Sequence, residues 1–483
     1  MKRFTIFSLT CFLSMGSVFA QQGVTQCGVP TGQPKFPLQA YQELPDPAAP
    51  SEKEWAAVTA PQVSWGTIDV RYAKHQLPAL KNTSLKGWRG ERVNAQAVVW
   101  TGTELKDLNF SFTDFKDKKG NSLSGDALTA GFVRYVMTDE LNKDGRGACG
   151  YRKSVDFDSL LVADPIDSEL KTMALPARTV QPIWVQCWIP QSAVPGTYKG
   201  QLLVNDGSNL LQRLNLEITV SSRVLPQPSE WAFHLDLWQS PYAVARYYQV
   251  PLWSQEHLDA MRPLMKMLAN AGQKIITATL THKPWNGQTE DYFDTMVTWI
   301  KRADGTWTFD YTIFDRWVEF MMSVGIDKQI NCYSMVPWKL SFQYYDQATN
   351  SLKFVKTAPG EQAYEEMWVA MLASFDYCIV IGQNYPEDVR LRRKAENKRT
   401  TYYTCCTEAH PNTFTFSDPA EAAWMSFYSS KKHLDGYLRW AYNSWPLEPL
   451  LDSRFRTWAA GDTYLVYPGA RSCIRFERLI EGV

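Results

Sequence analysis

The sequence predicts a multidomain chain in which an N-terminal antiparallel β-sandwich is followed by a (β/α)8-type TIM barrel. At 483 residues the chain is longer than one hydrophobic core usually serves. Residues 55–224 consist of short alternating or β-branched runs separated by turns, a pattern typical of an antiparallel sandwich. Residues 231–483 alternate strand-like runs with amphipathic helical stretches. Repeated β-α units of this kind form a parallel sheet, and a barrel is its most economical version at this length.

The first 20 residues have the pattern of a cleaved signal peptide. Lys2 and Arg3 give the charged start, residues 4–13 are apolar, and Val18-Phe19-Ala20 forms a small-residue cleavage site before Gln21. We therefore expect an exported protein, periplasmic or extracellular. No later apolar run reaches the roughly 20 residues of a membrane span, so none is expected. Residues 21–54, rich in Pro, Gln and Gly toward their start, read as an extended lead-in.

Composition indicates the class of partner. The 50 basic and 50 acidic residues balance, which argues against nucleic acid or an anionic membrane as the main partner. The 19 Trp and 23 Tyr favour a ligand on which rings can stack, such as a carbohydrate. The run from Gly145 to Gly150 matches G-x-G-x-x-G, but no helical pattern follows it. We expect no cofactor, and the cysteines, which include no C-x-x-C, indicate no metal site.

A proline-containing linker at 225–230 separates the two predicted domains. Beyond it the predicted strand runs are WAFHLDLW, KIITATL, INCYSMV, DYCIVIG, TTYYTCC and DGYLRWAY. The predicted helices between them cover residues 255–270, 311–324, 363–375, 386–397 and 419–433. Glycines follow several helices, as at Gly272 and Gly325, where helices commonly end.

In a barrel the chemistry lies at the carboxyl ends of the strands. Polar and aromatic residues recur at these ends, above all in the stretch 435–469, which also carries Arg439, Asp452, Arg454, Arg456 and Asp462 as a possible charged network. The candidate sugar-binding residues are Trp238, His282, Trp285, Trp338, Tyr403, Trp440, Tyr442, Asn443 and Trp445, with Gln383 at a further strand end. Glu408 and Asp236 are the candidate catalytic carboxylates, and a purely structural role for any single Trp or His is the competing interpretation.

The runs TTYYTCCTEAHPNTFTFSDPAEAAW, DGYLRWAYNSW, DSRFRTWAAGDTYLVYPG and RSCIRFERLIEG resemble the catalytic domain of glycoside hydrolase family 123. The resemblance implies an exo-acting N-acetyl-β-galactosaminidase. It also implies a substrate-assisted, retaining mechanism in which the sugar's 2-acetamido oxygen attacks the anomeric carbon. In that family an adjacent Asp-Glu pair at the end of the fourth barrel strand orients the acetamido group and protonates the leaving oxygen.

The sequence departs from the family pattern at one place. Six β-α units are recognisable where a barrel needs eight, and Met371-Leu372-Ala373 passes into the run starting at Asp376 without Gly, Pro or Asn. We therefore expect a barrel that lacks about two β-α units together with the Asp-Glu pair, and a C-terminus shorter than the family's. The open alternatives are an impaired hydrolase, an inactive carbohydrate-binding pseudoenzyme or product of a deleted gene, and a binding module in which the sandwich binds the ligand.

Overall fold

The computed structural model describes residues 42–78, 83–139, 159–333, 337–369, 377–381 and 386–483, and for 368–369 and 377–381 it describes the backbone alone. Several sequence predictions lie outside these residues. They are the signal peptide, most of the lead-in, the glycine-rich run at 145–150, the passage at 370–376 and Gln383.

The N-terminal part contains two β-sheets preceded by a short helix, α1 (Glu52–Trp55). One sheet has the strand order β1-β3-β8-β5-β6, and the other has the order β2-β10-β9-β4-β7. The strands are β1 (Gln62–Trp65), β2 (Leu85–Arg89), β3 (Arg92–Thr101), β4 (Leu105–Phe112), β5 (Leu128–Thr138), β6 (Leu160–Asp167), β7 (Thr172–Leu175), β8 (Thr179–Trp188), β9 (Gly196–Asp206) and β10 (Asn209–Val224). Pairing is antiparallel except between β2 and β10.

The two sheets share one hydrophobic core, as a sandwich requires. Ala97 and Ile183 from the first sheet pack in the same buried cluster as Leu108, Leu202 and Ile218 from the second. The alternating residues that predicted the strands place these side chains inward. This two-layer arrangement agrees with the predicted sandwich.

The C-terminal part alternates parallel strands with helices. Its parallel strands are β11 (His234–Leu237), β12 (Ile275–Thr279), β15 (Gln329–Tyr333), β18 (Tyr377–Ile381), β19 (Arg399–Tyr403) and β20 (Gly436–Arg439). The helices are α2 (Pro241–Tyr248), α3 (Gln255–Ala269), α4 (Thr312–Ser323), α5 (Gln362–Val369), α6 (Glu387–Ala395), α7 (Pro419–Lys431) and α8 (Ile474–Gly482). The predicted β-α units are therefore present, and most predicted helix ends lie within about two residues of the observed ones.

These six strands follow one another in the spatial order β15-β12-β11-β20-β19-β18. β11, β20, β19 and β18 form one parallel sheet, β12 pairs with β15, and a parallel bridge between Leu235 and Gln273 joins the two groups. β15 and β18 stand at the two ends, and no pairing between them occurs in the part of the chain that the structure describes. A closed eight-stranded barrel is thus not seen among the described residues.

A small mixed sheet interrupts the parallel units, and the sequence did not predict it. Its order is β14-β13-β16-β17, with β13 (Thr298–Lys301) and β14 (Trp307–Asp310) inserted after β12, and β16 (Ser341–Asp346) and β17 (Ser351–Lys356) inserted after β15. Trp299 and Phe342 are buried in its core. Both insertions leave from carboxyl ends of strands, so this sheet lies on the side where the site was predicted.

The two parts of the chain are joined by more than the linker. β21 (Ser472–Cys473), near the end of the chain, pairs with β6 of the first sheet. Arg475 on α8 lies 3.0 Å from the carboxylate of Asp164 on β6, and both side chains are buried. Among the described helices, none combines the length and apolar composition needed to cross a bilayer.

Candidate active site

An aromatic cluster marks the carboxyl ends of β11, β12 and β15. Trp238 follows β11, Trp285 lies in the loop after β12, and Tyr333 ends β15. The Trp285 and Tyr333 rings are stacked, with centroids 4.6 Å apart and an interplanar angle of 11°. Trp238 lies against both, at 5.9 Å from Trp285 and 4.6 Å from Tyr333. Trp238 and Trp285 are almost fully buried, so they form the floor of this region rather than its surface.

Exposed aromatic rings surround that floor. Trp338, in the segment after β15, is 64% exposed, and its backbone N–H donates to the Pro284 carbonyl at 3.2 Å. Phe354 on β17 is also well exposed and lies 5.7 Å from the His282 ring. The hydroxyl of Tyr333 belongs to the same region, and burial raises the pKa of that phenol. Trp338 is therefore anchored to the buried cluster and still presents carbon surface to solvent.

His282 has a fixed partner that the sequence did not reveal. Its Nδ1 lies 3.0 Å from Oδ1 of Asp294, which also accepts the backbone N–H of Thr295 at 2.8 Å. Both side chains are only slightly exposed. A carboxylate on Nδ1 orients the imidazole and leaves Nε2 as the ring atom available to a ligand. Asp294 lies in a polar loop between β12 and β13, where no local pattern distinguished it.

The candidate carboxylate Asp236 is fully buried within β11. Its Oδ2 accepts the Trp238 indole N–H at 3.2 Å, and its Oδ1 accepts the Gln273 side-chain amide at 3.3 Å. These two hydrogen bonds fix the Trp238 ring against the carboxylate. The contacts assign Asp236 to positioning the aromatic floor.

A buried ionic group lies at the ends of β19 and β20. Arg439 donates to Oδ1 of Asp462 at 2.7 Å, and both side chains are fully buried. Arg439 also donates to Asn412 Oδ1 at 2.7 Å. Burial raises the pKa of Asp462 to about 6, against the opposing effect of the Arg439 charge. This pair confirms one part of the predicted network, and Asp452 with Arg454 at 2.7 Å confirms another.

Glu408 lies beside this group but outside its core. The carboxylate is half-buried and accepts the Thr407 hydroxyl, and the Glu408 carbonyl accepts Asn412 Nδ2 at 2.6 Å. Tyr403, which ends β19, is half-buried, and desolvation raises the pKa of its hydroxyl. Trp440 is buried with its ring 6.0 Å from Trp458 in an edge-on contact. Of these residues, Glu408 and Tyr403 retain access to solvent.

Three candidate sugar-binding residues prove to be core residues. The hydroxyl of Tyr442 donates to the Leu264 carbonyl at 3.0 Å, and the Trp445 indole donates to the Val466 carbonyl at 2.7 Å. Both rings are fully buried, so neither offers a face to a ligand. Asn443 is also buried and exchanges two hydrogen bonds with the backbone of Ser240, its Oδ1 accepting at 2.8 Å. The sequence interpretation was wrong here because the segment after β20 folds under the following loop.

The loop after β12 connects to the segments after β20. Arg456 pairs with Glu290 at 2.6 Å rather than with the other charges of its own stretch. Asp291 pairs with Arg246 at 2.7 Å, and burial raises the pKa of that carboxyl. Glu290 and Asp291 both lie in the loop that leads to β13. Each carboxylate is held by an arginine.

The described residues contain no group of three His, Cys, Asp or Glu side chains able to hold a metal ion. The site is therefore built from aromatic rings, a His-Asp pair and buried ion pairs. Stacked rings next to directed polar groups suit a ligand with an apolar face and a polar rim, as a pyranose has.

The fold places the chain among proteins in which a two-sheet β domain precedes parallel β/α units. Within that class, the chain belongs to glycoside hydrolase family 123. The model of the glycoside hydrolase 123 catalytic domain matches residues 238–377 and 374–483, and that of the glycoside hydrolase 123 N-terminal domain matches residues 65–206. The resemblance noted in the sequence is thereby confirmed.

A solved structure of a family 123 glycoside hydrolase from Clostridium perfringens, described in terms of glycolipid glycan hydrolysis, has the same fold. The TM-score is 0.78 and the identity 24%, over 88% of this chain and 87% of that one. The N-terminal domain of PorA matches with a TM-score of 0.17 and 10% identity, over 34% of this chain and 99% of that one. The periplasmic chaperone SfaE matches with a TM-score of 0.16 and 7% identity, over 36% of this chain and 66% of that one. No curated protein matches the chain significantly.

Proposed function

We propose that this protein is an exported carbohydrate-active member of its family that binds terminal β-linked N-acetylgalactosamine and has impaired hydrolytic activity. The glycan of a glycolipid is one source of such a sugar, in line with the description of the Clostridium perfringens structure. The family's substrate-assisted, retaining mechanism is the reaction from which we propose this chain has departed.

The observation that carries the sugar-binding part is the arrangement at the ends of β12 and β15. Trp285 and Tyr333 stack at 4.6 Å, exposed Trp338 donates its backbone N–H to the Pro284 carbonyl, and His282 is oriented by Asp294. The aromatic carbon surface would pack on the C–H face of a pyranose, while His282 Nε2 would accept or donate at a hydroxyl.

Two observations support the impairment. The family model matches in two segments that meet at residues 374–377, where the sequence passes from one unit to the next without a breaker. β15 and β18, which flank that passage, stand at the two ends of the strand order. We infer that the chain lacks a strand-helix-strand segment that would close a TIM barrel between them, and with it the family's Asp-Glu pair.

The carboxylates described near the strand ends also support the impairment, because most of them already accept hydrogen bonds or pair with an arginine. Asp236 accepts from Trp238 and Gln273, Asp462 pairs with Arg439, and Asp291 pairs with Arg246. A general acid needs a carboxyl that can hold a proton next to the leaving oxygen. Glu408, half-buried beside Thr407, is the remaining candidate.

The test is hydrolysis of 4-nitrophenyl N-acetyl-β-galactosaminide by the purified protein. A matched version carries a family strand-helix-strand segment inserted after Ala373. We expect no detectable turnover by the natural chain, because loss of the acid and of the acetamido-orienting carboxylate costs at least roughly a thousandfold in rate. Turnover by the natural chain that Glu408→Gln abolishes would make Glu408 the acid and refute the impairment.

A binding protein without catalysis is the second candidate, and the exposed, anchored ring of Trp338 favours it. Calorimetric titration with N-acetylgalactosamine should give weak binding that Trp338→Ala removes. Leu391→Ala is the control, because Leu391 is also an exposed apolar side chain but lies on α6, outside this cluster. Equal heats for natural chain and Trp338→Ala would exclude Trp338 from the site.

Export is proposed from the signal-peptide pattern, and the disulfide-bonded state of Cys406 supports an oxidising compartment. Intact-mass measurement of protein recovered from the periplasm or medium should give a chain that begins at Gln21. A retained Met1 or a lipid adduct would contradict this.

A further inference from the structure

A large cavity lies at the junction of the two domains, on the opposite side from the aromatic cluster. Its volume is about 1040 Å³, and its lining includes Phe233, Asn270 and Asp435. Phe233 immediately precedes β11, Asn270 ends α3 before β12, and Asp435 immediately precedes β20. The cavity therefore opens at the amino ends of the parallel strands, where a barrel-type fold places stabilising contacts rather than chemistry. We call it the junction groove.

One wall of the junction groove is a rigid aromatic surface from the sandwich. Trp188 is 36% exposed, its indole N–H donates to the Gly90 carbonyl at 3.1 Å, and the Arg92 guanidinium lies 4.8 Å from its ring centroid. Arg92 is in turn held by Glu477 at 3.2 Å. The polar atom of the indole is thus satisfied, and what Trp188 leaves exposed is aromatic carbon in a fixed position.

The β2–β3 turn adds a second ring to this wall. Trp88 is 38% exposed, and its backbone N–H donates to the Glu91 carboxylate at 2.6 Å. Gly90 has φ +86 and approaches the linker so closely that a Cβ there would lie 2.9 Å from the Leu225 carbonyl. The turn is consequently fixed against the linker, and it holds Trp88 at the edge of the groove.

The facing wall comes from the β/α domain. Phe427 on α7 is 60% exposed, and Trp424 stacks beside it at 6.1 Å with an interplanar angle of 24°. The hydroxyl of Ser430 also lines the groove. The groove thus has exposed aromatic rings on two walls, together with hydroxyl-bearing and carboxylate residues. Such a group of exposed rings is unusual on a surface that binds no ligand.

The charges lining the groove restrict the ligand. The described residues that line it include the carboxylates Glu91, Glu230, Asp435 and Glu481, and the one cationic side chain among them, Arg92, is paired with Glu477. A polyanionic ligand is therefore disfavoured. The volume is at the upper end of the roughly 300–1,000 Å³ typical of small-molecule sites, which leaves room for several sugar rings.

We propose that the junction groove is a second, non-catalytic binding site for a neutral oligosaccharide. Trp88, Trp188 and Phe427 would stack on the sugar rings, and the carboxylates would accept their hydroxyl hydrogens. The site would hold the protein on a glycan while the carboxyl-end cluster engages a terminal sugar. It does not depend on whether the family reaction survives in this chain.

Affinity electrophoresis in native gels containing asialo-mucin tests the proposal, with deglycosylated mucin as background. We expect the natural protein to be retarded and Trp88→Ala/Phe427→Ala to bind about tenfold more weakly, because the double variant removes two stacking surfaces. Phe427→Tyr, which keeps the ring, should behave as the natural protein. Leu391→Ala, which removes an exposed apolar side chain on α6 outside both proposed sites, should leave retardation unchanged. Chondroitin sulfate should cause none.

Three outcomes would overturn the proposal. The first is no retardation of the natural protein by asialo-mucin. The second is unchanged retardation of the double variant with circular dichroism identical to the natural protein. The third is a dimer in light scattering that Phe427→Ala converts to a monomer, because the groove would then be covered by a second copy. Loss of N-acetylgalactosamine titration in Trp338→Ala, with that titration unchanged in Trp88→Ala/Phe427→Ala, would separate this site from the proposed sugar site.

Discussion

Replacing Asp164 by Asn should destabilise the whole molecule, because that carboxylate joins the two domains. Asp164 lies on β6 and is fully buried. It accepts the Tyr467 hydroxyl at 2.7 Å and Arg475 Nε at 3.0 Å, and Arg71 Nη2 lies 3.5 Å away. Arg475 Nη1 donates to main-chain carbonyls, including that of Thr413 at 2.7 Å, and Nη2 lies 3.0 Å from Asp164. A neutral amide in place of the carboxylate leaves two guanidinium groups without their counter-charge.

The expected magnitude follows from the burial of both partners. Breaking a buried ion pair by removing one partner costs about 3–5 kcal/mol, because the other charge stays buried without compensation. The matched control is Asp452→Asn, since Asp452 pairs with Arg454 at 2.7 Å with side chains 30% and 19% exposed. Solvent screens that pair, so its loss should cost about 1 kcal/mol or less.

The assay is urea unfolding of each variant, followed by tryptophan fluorescence and by far-ultraviolet circular dichroism. Asp164→Asn should lower the free energy of unfolding by the larger amount, and its two probes should separate if the domains lose their coupling. The reasoning is refuted if Asp164→Asn unfolds within about 1 kcal/mol of the natural protein, or if Asp452→Asn costs as much.

Further predictions concern buried groups and core aromatics. His257 accepts the Trp253 N–H at Nδ1 (3.0 Å) and faces the Pro241 carbonyl with Nε2 (2.8 Å), and burial lowers its pKa to about 4 from the ordinary 6.5. His257 in the unfolded chain takes up a proton at a higher pH than in the folded protein, so the free energy of unfolding should fall by up to about 3 kcal/mol as the pH drops from 6.5 to 4. In His257→Gln, the free energy of unfolding measured across that range should depend less on pH. Trp445→Ala should lower the free energy of unfolding by about 3–5 kcal/mol because it empties a fully buried site, and Trp338→Ala should change it by less than about 0.5 kcal/mol. Equal losses of unfolding free energy in the two variants, measured by urea unfolding, would show that the exposure of these tryptophans does not determine their contribution to stability.

Local signals explain why the helices were predictable. α3 begins after Ser254, whose side chain accepts the His257 N–H, and α7 begins with a capping box formed by Asp418 and Glu421. Gly272 and Gly325 have φ +92 and +100, which only glycine adopts without strain. Each of these signals acts within a few residues, so sequence reasoning could locate the elements.

Exposure of the aromatic residues was not predictable in the same way. Trp445 and Trp338 both follow a strand run in an aromatic, proline-containing segment, yet one is fully buried and the other 64% exposed. Tyr442 is covered because Leu465 N–H bonds to its carbonyl and Asn443 bridges to Tyr464, contacts about 20 residues apart in sequence. The pairing of His282 with Asp294 and the inserted sheet of β13, β14, β16 and β17 also depend on contacts between residues distant in sequence, which no local pattern predicts.

The position of the proposed gap separates binding from chemistry. The aromatic cluster draws its residues from β11, β12 and β15, which lie together on one side of the strand order. The Arg439–Asp462 group draws on β20 and the loop after it, on the other side. The family's Asp-Glu pair belongs to a strand that would stand between β15 and β18. Because neighbouring strands place catalytic groups in a barrel, removing that strand removes both carboxylates while leaving the ring cluster and the His282–Asp294 pair in place. A chain altered in this way would keep its affinity for a sugar and lose the means to cleave the glycosidic bond.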